Sequence, residues 1–188
     1  MSDAMVLERA EPSTPTDRRL AKGSPAIRFI LRGDARVMAA AGEALGLSLP
    51  ADTCRATVGA AAAGLWLGPD ETLLLPPPVA DRSWREVLGE ALSGLAHSLV
   101  DVSHRQTALE LSGPNAEAML AVGCPLDLHP SAFPVGMCTR AVFAKCEIVL
   151  WRKGPELFHI EVWRSFRAYV VSLLELAGEE FTGRGPHP

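Results

Sequence analysis

The chain has 188 residues, 48% of them hydrophobic and 21% charged, the profile of a globular protein with enough length to bury a core unaided. Eighteen basic residues against 22 acidic ones give a net charge of −4, which argues against a basic sheath for nucleic acid. The longest apolar stretch, Val58 to Gly68, has 11 residues, too few for a membrane-spanning helix.

Residues 1–25, with Pro12, Pro15 and Pro25 among polar residues, read as a flexible N-terminal arm. They show no apolar core of a signal peptide, so a cytoplasmic location with reduced thiols is expected. A strand over Ile27–Arg32 leads to Asp34, placed to cap a helix with Val37, Met38, Ala41 and Leu45 on one stripe. A strand near Arg55–Gly59 follows, then a hairpin over Leu65–Leu75 that turns at Gly68–Glu71. Ser83 and Glu86 have capping-box spacing ahead of a helical stripe of Trp84, Val87, Leu88, Ala91, Leu92 and Leu95. Leu99–Val102 closes this half as a strand.

The second half repeats the order: a strand over Thr107–Leu111, a short helix over Ala116–Val122, a proline-rich connection, a strand near Arg140–Ala144 and a hairpin of Ile148–Trp151 with Leu157–Val162. Ser165 is placed to cap a last helix with Phe166, Tyr169, Val170, Leu173, Leu174 and Ala177 on its apolar stripe, and residues 179–188 form a tail. Three motifs recur in order: Leu31-x-Gly33 with Leu111-x-Gly113, Gly68-Pro69-Asp70 with Gly154-Pro155-Glu156, and Arg82-Ser83-Trp84-Arg85 with Arg164-Ser165-Phe166-Arg167, at offsets of 80, 86 and 82. The expected fold is therefore α+β: two pseudo-symmetric split β-α-β (ferredoxin-like) halves, 26–102 and 105–178, sharing one core in a single domain over 26–178.

Catalytic signals are weak. Asp101-Val102-Ser103-His104 holds three triad residue types, but neighbours on a strand face opposite ways and no G-x-S-x-G elbow occurs. The histidines at 97, 104, 129, 159 and 187 lack metal-site spacing, and Cys54, Cys124, Cys138 and Cys146 form no C-x-x-C pair. His159 reads as a surface or hydrogen-bonded core residue. Ala56–Gly64 lacks the Gly spacing and Lys of a phosphate loop. The proline-stiffened segment Cys124–Pro134, with Leu126, Leu128, His129 and Phe133, reads equally as a partner-contact loop or a lid on its own core. Trp151, Trp163, Arg152 and Arg164 carry interface-type side chains, although core packing suits both tryptophans.

Asp101-Val-Ser-His104, followed by Ser112-Gly113-Pro114-Asn-Ala116 and a helix, resembles the opening region of the glycine-cleavage T-protein (aminomethyltransferase) superfamily. Asp101, Ser103, His104, Gly113 and Pro114 are structural positions in that resemblance. Cys124–Gly136, Ile148–Arg152 and Phe158–Phe166 are similar to one branch, the gamma subunits of bacterial heterotetrameric sarcosine oxidases, across about 26–178. The resemblance implies the folate-binding-domain fold of aminomethyltransferases and alpha, beta and delta subunits as partners. It also implies an assembly that demethylates sarcosine oxidatively to glycine, with hydrogen peroxide and, given tetrahydrofolate, 5,10-methylenetetrahydrofolate as products. FAD, FMN, NAD, zinc and tetrahydrofolate are expected on other subunits, and no cofactor, metal or catalytic residue on this one.

One departure matters. Aminomethyltransferases open the helix after the second hairpin with an asparagine-led segment carrying a catalytic acid, whereas residues 162–174 here contain no Asp, Glu or Asn. A structural, non-catalytic subunit is the resulting expectation. The alternative is a stand-alone folate-binding or one-carbon-transfer module, which needs a pocket between the repeats lined by an unpaired carboxylate from Asp101, Asp127 or Glu147.

Overall fold

Along the strand Cys146–Gly154, Ile148 and Leu150 point to one side and Val149 and Trp151 to the other, and all four are buried. A strand alternates its side chains, so a sheet built this way must be covered on both faces. The computed structural model, which describes residues 19–23, 27–77 and 83–182, provides both covers. Residues 1–18, 24 and 25 of the expected arm, Arg82 of the repeated tetrapeptide and residues 183–188 of the expected tail lie outside the described residues.

In chain order the strands are β1 (Arg19–Lys22), β2 (Phe29–Gly33), β3 (Ala56–Val58), β4 (Ala63–Gly68), β5 (Glu71–Leu75), β6 (His97–Asp101), β7 (Gln106–Ser112), β8 (Cys138–Phe143), β9 (Cys146–Gly154) and β10 (Leu157–Trp163). The helices are α1 (Ala35–Leu45), α2 (Trp84–Ala91), α3 (Ala116–Ala121) and α4 (Arg167–Glu179). One sheet runs β3-β4-β5-β2-β6 and the other β8-β9-β10-β7-β1, with antiparallel neighbours throughout. The first four strands of each list correspond one to one, which is the repeat read from the sequence. The fifth differs. In the first half β6, after α2, pairs with β2; in the second, β1 takes the matching place beside β7.

That pairing corrects the expected boundary at 26. Leu20 faces Leu111 and packs on the second-half core, so part of the supposed arm completes the second sheet. At the other end α4 runs to Glu179 and a 3₁₀ turn to Thr182, so the ordered fold continues into the expected tail.

The buried apolar residues gather in three clusters, one of them shared by the two halves. Phe29, Leu31 and Leu74 pack under α1 and α2, and Leu109, Leu111, Phe158 and Ile160 under α3 and α4. Leu65, Leu67, Leu73, Val149 and Trp151 form a third cluster between the sheets. At one corner the sheets are also joined edge to edge: Ala56 N–H donates to Gly136 O at 2.8 Å and Cys138 N–H to Cys54 O at 2.9 Å.

Local signals placed most elements. Asp34 Oδ1 accepts from Arg36 N and Val37 N, capping α1, and Gly46 at φ +69° ends it in the left-handed conformation. Ser83 and Glu86 form the reciprocal capping box of α2. Replacing Ser83 with Ala is expected to cost about 1 kcal/mol, read as a lower thermal midpoint with unchanged far-UV circular dichroism.

Ser165 does not cap α4. A 3₁₀ turn over Arg164–Phe166 precedes the helix and contains Ser165, and Phe166 at its end and Tyr169 at the rim of the α4 stripe are both 40% exposed. Val170, Leu174 and Ala177 remain in the core.

Candidate functional site

The polar centre of the molecule lies between the two sheets. On β10, Phe158, Ile160 and Val162 face the helices, so His159 and Glu161 must face the layer between the sheets. Both are buried there with Arg28, which enters from the segment before β2. Arg28 Nε donates to Glu161 Oε2 at 2.6 Å, and His159 Nε2 lies 2.9 Å from Glu161 Oε1. The other ring nitrogen, Nδ1, is 3.9 Å from Glu110 Oε1 on β7, to which Lys153 Nζ donates at 2.6 Å.

Carboxylates at both nitrogens favour the doubly protonated imidazole. Burial alone would lower the pKa of His159, but its bonds to Glu110 and Glu161 outweigh it and raise the pKa above the usual 6.5. Burial opposes the charge of Glu161 too. His159 and Arg28 overcome it and hold the carboxyl below its usual range. The bond to His159 and the neighbouring Lys153 bring Glu110 down to about 2. The sequence hinted at this only through an alternating strand with two ionisable residues on one side. No local pattern links Arg28, Glu110 and Glu161, because they lie far apart in the chain.

A second buried cation, Arg152, decides the fate of the proline-rich connection. Its Nη1 donates to Leu128 O at 2.8 Å and Phe133 O at 3.1 Å, and its Nη2 to Pro155 O at 2.6 Å and Glu117 Oε2 at 3.2 Å. The connection is thus a lid on its own core. Leu128 and Phe133 are 3% and 1% exposed, and Trp151 packs between the sheets. For these three, the reading as partner-contact residues is corrected, since the chain's own core already covers their side chains. Leu126 is half-buried, while His129, Trp163 and Arg164 are exposed.

The residues that carried the resemblance sit at joints. Asp101 Oδ1 accepts from Ser103 N at 2.9 Å, and the bond to Ser103 keeps this carboxyl below its usual range. Ser103 Oγ accepts from Arg28 N at 2.9 Å, tying the end of β6 to the start of β2, and His104 is exposed in the adjoining turn. Gly113 N–H donates to Glu156 O at 3.0 Å just as Gly33 N–H donates to Asp70 O at 3.0 Å, so two of the repeated motifs meet at one joint in each half. Gly113, at φ +118°, needs its freedom there, and Pro114 follows it before α3.

The carboxylates of the folate-module alternative do not converge. Asp127 accepts from His129 N at 2.9 Å, and Glu147 is exposed on β9. A groove of about 1150 Å³ lies in the first half alone, between α1, residues 46–51 and the β4–β5 hairpin. It is lined by Met38, Leu49, Trp66, Asp34, Glu43 and Asp70, and by none of Asp101, Asp127 and Glu147. Among the described residues no three His, Cys, Asp or Glu side chains gather to hold a metal, and no helix is long and apolar enough to cross a membrane. The four cysteines are free; burial raises the pKa of Cys124 and Cys146 and pushes Cys138 up to about 12.

Residues 32–180 match the model of the sarcosine oxidase, gamma subunit family. The sarcosine oxidase subunit gamma of Corynebacterium sp. (strain P-1) is 37% identical over 146 residues, covering 76% of this chain and 70% of its own. That of an Arthrobacter species is 34% identical, with 92% and 91% covered. A chain of the heterotetrameric sarcosine oxidase from Corynebacterium sp. U-96, solved with pyrrole 2-carboxylate, superposes with a TM-score of 0.84 at 29% identity, covering 93% of this chain and 90% of that one. The glycine cleavage system aminomethyltransferase T of Bartonella henselae shares the fold at a TM-score of 0.65 and 14% identity, with 84% of this chain and 45% of that one covered. With a family model spanning most of its length and relatives above 30% identity, the chain belongs to the sarcosine oxidase gamma subunit family.

Proposed function

We propose that this chain is the gamma subunit of a heterotetrameric sarcosine oxidase and serves it as a non-catalytic, structural component in the cytoplasm. Alpha, beta and delta chains would complete the assembly and carry FAD, FMN, NAD, zinc and the tetrahydrofolate site. Sarcosine would be oxidised there to glycine and peroxide, with transfer of the released carbon to tetrahydrofolate.

The observation that carries the reading is the state of Glu161. It is the carboxylate nearest in sequence to the helix entry where aminomethyltransferases keep their acid, and its side chain is fully buried between Arg28 and His159. A carboxylate engaged in this way cannot meet a substrate. Asp101 and Asp127 are likewise used as local caps. The residues present do not fit a folate site between the repeats, and no chemical step is assigned to this chain. Leu126, His129, Trp163 and Arg164 remain the proposed contacts to other subunits, with Asp101, Ser103, His104, Gly113 and Pro114 as structural positions.

Co-expression of a tagged chain with the three other subunits is expected to yield a four-chain complex on size exclusion. The purified chain alone is expected to transfer no one-carbon unit from an aminomethyl donor to tetrahydrofolate. Transfer by the isolated chain, or heat released on titrating it with tetrahydrofolate, would replace this reading with that of a folate module.

A further inference from the structure

The start of α4 presents a surface that the core does not use. Trp163, Phe166 and Tyr169 are 42%, 40% and 40% exposed, roughly 60–100 Å² each for side chains of this size. The chain has only 11 aromatic residues, so three on one short stretch of surface form a concentration. Trp163 ends β10 in an extended conformation, Phe166 closes the 3₁₀ turn that follows, and Tyr169 lies three positions on in the first turn of α4, where i and i+3 are neighbours.

Beside these rings lie two guanidinium groups. Arg105 stacks over the Trp163 ring at 5.3 Å from its centroid, and Arg164 N–H donates to Arg105 O at 2.8 Å, which fixes the two loops together. Both arginines are exposed, and among the described residues neither forms an ion pair. Residues 162–174 contain no acid that could supply one. In a chain whose net charge is −4, this face is locally basic and apolar, with the residue types that anchor interfaces.

We infer that the Trp163–Phe166–Tyr169 face, flanked by Arg105 and Arg164, docks a partner-subunit segment that presents an Asp or Glu carboxylate beside an apolar side chain. The inference rests on the structural-subunit reading and adds where contact is made and with what chemistry. Guanidinium forks pair with carboxylates in two parallel hydrogen bonds, and an aromatic wall shields that pair from water. The missing carboxylate in residues 162–174 thereby acquires a second meaning: an acid here would neutralise the surface against its partner.

The test is co-expression with the alpha, beta and delta subunits, reading the fraction of this chain recovered in the complex. Arg105→Glu with Arg164→Glu is expected to lower recovery at least tenfold. Trp163→Ala is expected to lower it several-fold, and Arg105→Lys with Arg164→Lys less than the reversal. Lys145→Glu, in the exposed β8–β9 turn, serves as a charge control and should recover as wild type. Circular dichroism and melting of each purified variant establish that it folds. Full recovery of a folded double-Glu variant, with wild type assembling, overturns the inference and leaves the subunit reading standing. A wild-type chain that joins no complex overturns the subunit reading and this docking site with it. A wild-type chain that self-associates through this face, and becomes monomeric in the double-Glu variant, assigns the surface to a second copy and also overturns the inference.

Discussion

Glu161→Gln is expected to destabilise the chain by about 3–5 kcal/mol, read as the urea midpoint at pH 6, because it strands two buried cations. Arg28 and the imidazolium of His159 share this carboxylate, whose side chain is fully buried, and an amide of the same shape cannot balance their charge. The pH dependence follows from the same groups. His159 titrates above 6.5 in the folded chain, so its contribution is complete below pH 6.5 and fades as pH rises through the folded value. Glu161 and Glu110 titrate below 4.5, so theirs is complete above pH 4.5 and is lost as pH falls through the folded values, about 2 for Glu110. Stability should therefore be greatest between about pH 4.5 and 6.5. In Glu161→Gln the alkaline loss should begin at lower pH, since His159 has lost the carboxylate 2.9 Å from its Nε2. Unfolding free energy that stays level from pH 6 to 9 in the wild type would show that His159 is not held as a cation.

Arg152→Met is expected to cost about 3 kcal/mol and to open the lid formed by residues 124–134. Methionine fills much of the same volume, but the carbonyls of Leu128, Phe133 and Pro155 and the Glu117 carboxylate would lose their shared donor. The cation over the Phe158 ring, 4.9 Å from its centroid, would go as well. Hydrogen exchange should report the change locally. Amides of Ala132 and Phe133, which bond to His129 O, should lose protection before those of β9 and β10. Lysine should restore little, because one ammonium cannot reach four acceptors spread around a planar fork. Unchanged melting and unchanged exchange in Arg152→Met would mean that the prolines alone hold the lid.

Most of the secondary structure, and the repeat, could be read from residues whose effect is local. Asp34, Ser83 and the Gly68–Glu71 and Gly154–Glu156 turns act through neighbours a few positions away, so the chain order of strands and helices was legible without a fold. The absence of an acid in residues 162–174, which bears on function, was equally plain. What stayed hidden depended on distant partners. Arg19–Lys22 looks polar and unremarkable until β7 offers it an edge, and no pattern announced the 3₁₀ turn that holds Ser165 and Phe166 ahead of α4. The charge cluster joins Arg28 to Glu161 across 133 positions, and Arg152 reaches back 24 to Leu128. Sequence fixes which residues can form a strand, cap a helix or turn a hairpin, because those choices depend on near neighbours. Which ionisable side chains are buried, and which aromatics are left outside, is decided only when two sheets close on each other, since burial belongs to the packed pair and to neither sheet alone.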